Sequence, residues 1–179
     1  MTALPVLITL LYPLAIWLGH GETEPRLFAG LLVLAALIRV STRQIGKAGH
    51  WWLGGALLLA AATLWGNAWM PLKLYPVLVN AMMLGIFGCS LASPQSLIER
   101  FARLQEPDLP PAAIRYTRRV TQAWCVFFLV NGSIALATAL WASPAVWSLY
   151  NGVIAYVLMG LLFGGEYLLR SRLRRQQHA

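Results

Sequence analysis

The stretch S-P-Q-S-L-I-E-R-F-A-R-L-Q-E-P-D-L-P-P-A-A-I-R-Y-T-R-R-V-T, Ser93 to Thr121, separates two long apolar runs and carries five arginines: Arg100, Arg103, Arg115, Arg118 and Arg119. Two further basic clusters occupy the corresponding ends of other apolar runs. Arg39, Arg43 and Lys47 follow the second run, and Arg170, Arg172, Arg174 and Arg175 follow the last. Of the fourteen Lys and Arg residues only Arg26 and Lys73 fall on the opposite side. Short loops rich in Lys and Arg stay cytoplasmic, so the bias predicts a multi-pass protein of a bacterial inner membrane with both termini inside.

Composition points the same way. Hydrophobic residues make up 59% and charged residues 11% of the chain, and the mean hydropathy is +0.64. A soluble domain of this length could not hide that much apolar surface. The net charge of +8 flanks apolar runs and is not interleaved with aromatics on a polar face. Anionic lipid headgroups, and not nucleic acid, are therefore the expected partner.

Six spans can be marked, at approximately 4–18, 25–42, 51–69, 74–91, 122–141 and 147–169. A spanning helix needs about 20 apolar residues. The last four satisfy this; the first two are short, and an interfacial or re-entrant hairpin is their alternative. Glu24-Pro25 offers a helix start for the second, and Pro13 should kink the first. The N-terminus lacks a basic region ahead of its apolar run, so the first segment reads as a retained helix. The fold class expected is all-α: one integral membrane domain over 1–179, with six transmembrane helices in three hairpins. Trp and Tyr concentrate near the predicted boundaries, Trp51, Trp52, Tyr116, Trp124 and Tyr167 on the inner side, and Trp17, Trp65, Trp69, Tyr75, Trp141, Trp147 and Tyr150 on the outer.

Within the linker 93–121, Ser93-Pro94 can start a short helix near Gln95 to Gln105. Leu97, Ile98, Phe101 and Leu104 fall on one face, and Glu99, Arg100 and Arg103 opposite. Such a helix should lie in the cytoplasmic interface, its apolar stripe among acyl chains. Pro107, Pro110 and Pro111 then break the run ahead of the fifth span. A weak repeat is also visible: Leu64-Trp65, Leu74-Tyr75 and Met83-Leu84-Gly85 recur as Leu140-Trp141, Leu149-Tyr150 and Leu158-Met159-Gly160. Either two copies of one helical hairpin or shared boundary composition accounts for it.

Candidate chemistry is sparse. Asn80 and Asn131 are amides inside apolar runs, and Glu166 is the single carboxylate inside one. Together they form a candidate intramembrane polar path. The structural alternatives are inter-helix hydrogen bonding for Asn80, Asn131 and Asn151, and an i, i+4 ion pair between Glu166 and Arg170. Arg100, Arg103, Arg115, Arg118, Arg119 and Arg170 form the candidate basic cytoplasmic surface. Cys89 and Cys125 make no CxxC, His20 and His50 fall on opposite sides, and no nucleotide-loop or hydrolase motif occurs. No metal, cofactor or catalytic residue is expected.

Residues of the second half carry a family resemblance. They comprise Pro94-Gln95-Ser96-Leu97-Ile98-Glu99-Arg100, Leu109-Pro110, Ala123-Trp124-Cys125-Val126-Phe127-Phe128, Asn131-Gly132 and the Trp141 to Trp147 turn. In order and spacing this resembles the intracellular septation protein A family of small bacterial inner-membrane proteins. It covers Leu64 to Leu169, with fewer basic residues at the outer turns than the family has. The chain thus resembles a sister group linked to ketosynthase-like and acyl-carrier components that make aryl-polyene pigments. The resemblance implies a non-enzymatic role in cell-envelope biogenesis or septation, acting through membrane and protein partners. The alternative is a carrier or accessory subunit for an acyl-lipid or aryl-polyene pathway, working beside lipid-synthesis proteins; a third is an intramembrane enzyme of unrecognised type. The family has no established catalytic residues to carry over.

Overall fold

The computed structural model of the chain describes residues 47–66 and 69–177, together with Gly30 and Val33. The first two expected spans, 4–18 and 25–42, otherwise lie outside the described residues. All elements among the described residues are helical: α1 Lys47–Gly66, α2 Met70–Lys73, α3 Tyr75–Leu91, α4 Leu97–Arg103, α5 Pro111–Trp141 and α6 Pro144–Leu149. A π-helical turn, Tyr150–Ile154, then leads into α7, Ala155–Gln177. Three stretches, Met70–Leu91, Pro111–Trp141 and Pro144–Leu168, are long and apolar enough to cross a membrane.

Proline sets the starts. α2, α3, α5 and α6 each have Pro in the first two positions, where the missing N–H is one the helix would leave unpaired and φ is already helical. Nothing between Ala112 and Trp141 interrupts α5, so it runs 31 residues, about 46 Å at 1.5 Å per residue. The cluster Arg115, Arg118 and Arg119 therefore sits on the first turns of a helix and not in a loop. On its outward face Arg115, Arg118, Arg119 and Gln122 give way to Val126, Leu129 and Val130, all exposed. That change of chemistry along one exposed stripe marks where water would yield to lipid.

The buried stripe of α5 runs Thr117, Thr121, Trp124, Phe128, Asn131, Ala135 and Ala139, the four-and-three spacing of a helix packed along one face. Its main partner is α3. The two helices approach closely at Gly132, where an added Cβ would lie 3.0 Å from Asn80 Cβ. Small residues at such crossings permit close backbone approach. We expect Gly132→Ala to cost about 1–2 kcal/mol by overpacking, read as a lower unfolding midpoint in detergent; an unchanged midpoint would mean the crossing yields freely.

At the end away from the arginines, Ala60, Leu72, Tyr75, Ala139 and Trp147 form a buried cluster. Trp147 is fully buried, and its Nε1 donates to the Lys73 carbonyl at 3.2 Å. This ties α6 to α2, the two short proline-started helices that follow α1 and α5. Both halves of the repeat thus share one order: a long helix, a short helix and a second long helix.

Three of the aromatic residues expected at the membrane boundaries are buried in the bundle. Tyr75, Trp124 and Trp147 are 4%, 4% and 0% exposed. Trp65, Trp141 and Tyr167 do project outward. Sequence position fixes depth along the bilayer, whereas burial depends on rotation about the helix axis, and a ring can satisfy the first without the second.

The short basic helix leaves Phe101 and Leu104 exposed, on the stripe expected to face lipid, but Glu99, expected on the polar face, is buried with Ala102; the helix packs on α5. The acidic face can turn inward because Arg103 neutralises it, with Nε and Nη2 both donating to Glu99 Oε1 at 2.9 Å. Its N-terminus is clipped to α3: the Leu97 N–H donates to Ser90 Oγ at 3.0 Å, and that hydroxyl donates to the Phe87 carbonyl at 2.6 Å. Arg118 Nη2 donates to the Leu91 carbonyl at 2.8 Å, supplying a donor to an orphan acceptor at the end of α3.

Candidate functional site

Side chains of α3, α4, α5, the π-turn and α7 enclose a cavity of about 390 Å³. It is apolar along most of its length. Phe87, Trp124, Phe128 and Phe163 form an aromatic wall, with Trp124 against Phe163 at 4.5 Å between ring centroids and Phe87 edge-on to Phe128 at 5.2 Å. Offset and edge contacts of this kind add about 0.5–1.5 kcal/mol each beyond burial. Met83 and Met159 supply adaptable thioether surface. At the basic end, Ile98 and Phe101 of the short helix complete the wall. Phe101 and Phe163 line the cavity and are also 58% and 57% exposed, so the cavity reaches the outer surface of the bundle beside them.

The polar groups gather at the other end, where Asn80, Asn131, Asn151, Tyr75 and Tyr156 line the cavity. Asn131 Nδ2 donates to Asn80 Oδ1 at 3.0 Å, and Tyr150 Oη donates to Asn131 Oδ1 at 2.9 Å. Asn80 Nδ2 donates to the Pro76 carbonyl at 2.8 Å. Asn151 Nδ2 donates to the Trp147 carbonyl at 2.9 Å and to Thr138 Oγ1 at 3.2 Å. Consecutive residues Tyr150 and Asn151 both reach α5, at Asn131 and at Thr138, two turns apart on that helix. The π-turn supplies this placement, and such single wide turns recur at functional sites.

Asn80 and Asn131 are thus brought together, hydrogen-bonded and on the cavity wall. Glu166 is not with them. It lies well toward the basic end from Asn131, outside the cavity wall, where its backbone carbonyl accepts from Tyr116 Oη at 3.3 Å. Among the described residues Glu166 makes no salt bridge with Arg170; the ion pair present is Arg103–Glu99. Arg100 Nε donates to the Gln95 carbonyl and Arg103 Nη1 to the Pro107 carbonyl, so these two arginines brace the linker. Arg115, Arg118 and Arg119 are exposed on α5.

Sequence reasoning missed Tyr150, Thr138 and the aromatic wall. Trp124, Phe128 and Asn131 at four-and-three spacing carried a signal for the wall's α5 side; Ile98 and Phe101 carried none, since their stripe read as lipid-facing. Among the described residues no three His, Cys, Asp or Glu side chains gather where they could hold a metal ion. Compared with known proteins, the chain matches no family model, no curated protein and no solved structure.

Proposed function

We propose that this chain is a non-enzymatic accessory protein of a bacterial inner membrane that holds a lipid-like chain between its helices during cell-envelope biogenesis. The observation that carries this reading is the aromatic-walled cavity, which reaches the exposed bundle surface at Phe101 and Phe163. Ligand sites are concave and mostly apolar with a few placed polar groups, and this cavity has that form. The basic end is the cytoplasmic one on the charge bias. There Arg115, Arg118 and Arg119 meet anionic headgroups or an acidic partner of the envelope machinery. The resemblance to septation protein A-like proteins and their sister group favours an envelope role over transport of a soluble solute.

Native mass spectrometry of the purified full chain tests the reading. We expect wild type to retain a lipid-like molecule, and Met159→Trp, which fills the cavity from α7, to lose at least tenfold of that occupancy while remaining folded. Equal retention by both proteins would place the lipid elsewhere on the surface and overturn the proposal.

A further inference from the structure

The cavity's chemistry restricts what can occupy it, on the reading that it holds a lipid. Among the described residues its lining contains no Asp, Glu, Lys, Arg or His. A carboxylate or phosphate drawn inside would lose its hydration with no cation to replace it, and such burial is strongly unfavourable. The portion of the ligand inside is therefore neutral.

The polar end goes further, because its amides have fixed orientations. The Trp147 carbonyl can only accept, so the group of Asn151 that faces it is Nδ2. Thr138 donates its hydroxyl to the Ala135 carbonyl at 3.0 Å and so presents lone pairs to the same Nδ2. With both contacts made by the nitrogen, Asn151 Oδ1 is left as an acceptor. It accepts no hydrogen bond among the described residues, although Asn151 is only 4% exposed and lines the cavity. Elsewhere at the polar end, Asn80 Nδ2 and Asn131 Nδ2 each make one hydrogen bond and carry two hydrogens apiece. The end of the cavity thus offers one unfilled acceptor and spare donors.

We infer that the site takes an uncharged, hydroxyl-bearing single-chain lipid, bound with its hydroxyl at Asn151 and its chain running past the aromatic wall to Phe101. A hydroxyl can donate to Asn151 Oδ1 and so fill the open acceptor. An ester or ketone serves the donors but leaves the acceptor empty, and an alkane serves neither. Binding is inverted relative to a fatty acid or phospholipid, whose anionic head belongs at the arginine end. From Tyr75 to Phe87 the wall extends about 18 Å at 1.5 Å per residue, so the two ends of a bound chain meet different peptides.

The test uses the full chain in detergent with four probes of equal length, each with a diazirine at the terminal carbon: hexadecanol, methyl palmitate, hexadecane and palmitic acid. Hexadecanol should label the peptide containing Ile98 and Phe101 at about tenfold lower concentration than the ester or the alkane, the effect of one buried neutral hydrogen bond. Asn151→Leu should abolish that preference, so that hexadecanol labels no better than the alkane; the probe series alone carries the comparison if the variant fails to fold. Equal labelling by all neutral probes would overturn the hydroxyl assignment and leave lipid binding standing. Strongest labelling by palmitic acid, or labelling near Tyr75 and Asn80, would overturn the inverted orientation. No labelling of any lining peptide would overturn the inference together with the lipid-binding reading.

Discussion

Arg103→Met releases the short basic helix from α5 at a cost of about 3–5 kcal/mol, the range for breaking a buried ion pair by removing one partner. Glu99 is 3% exposed, and both of the short contacts to its Oε1 come from Arg103. Methionine keeps the aliphatic stem's packing and removes the charge, leaving a carboxylate enclosed without a counter-charge. The chain then protonates Glu99 or swings α4 away so that water reaches it. The second route removes the part of the cavity wall that Ile98 and Phe101 supply. Hydrogen exchange of the Leu97 to Arg103 amides should rise by at least a hundredfold in this variant. Adding Glu99→Gln should restore most of the protection, because a neutral amide no longer needs the guanidinium. A single variant as protected as wild type would show that packing of Ala102 and Ile98, and not the pair, holds the helix.

Trp147→Ala should be the most damaging single truncation in the bundle. No part of this side chain is exposed, and it touches the residues that join the two halves at their non-basic ends. Tryptophan-to-alanine changes at packed sites cost about 3–5 kcal/mol, and the Lys73 carbonyl loses its indole donor besides. Trp147→Phe keeps most of the volume and should cost about 1–2 kcal/mol, chiefly the hydrogen bond. Unfolding monitored by tryptophan-independent circular dichroism in detergent separates the two. If both substitutions cost the same, the hydrogen bond and not the packing anchors the turn.

Much of this architecture is legible in the sequence, and the remainder is hidden for a definable reason. Hydropathy and arginine placement locate the apolar stretches 74–91, 122–141 and 147–169. Pro110-Pro111 announces the start of α5, and Asn80 with Asn131 stand out because an amide in an apolar run needs a partner. What cannot be read is rotation. In water, an amphipathic pattern tells which face is inside; in lipid the outward face is as apolar as the core, so α3 looks alike all round. Tyr75, Trp124 and Trp147 were consequently readable as to depth and not as to direction. Glu99 inverts the other way: a charge reads as solvated until a partner at i+4 is seen to close on it. The cavity is the least legible feature, since its walls come from five separate elements.

The wide turn at Tyr150–Ile154 bears on how this chain can change length over evolution. It holds one residue more than an α-helical turn would, and that surplus sets the rotation of everything after it. Losing one residue there would turn α7 by about 100° relative to α5, carrying Met159 and Phe163 off the wall while leaving hydropathy, charge bias and helix content untouched. Insertions and deletions in the linker between Gln105 and Leu109 have no such leverage, since α5 restarts at its own prolines. Among homologous chains, then, the spacing from Trp147 to Phe163 should be kept to the residue even where the residues themselves differ.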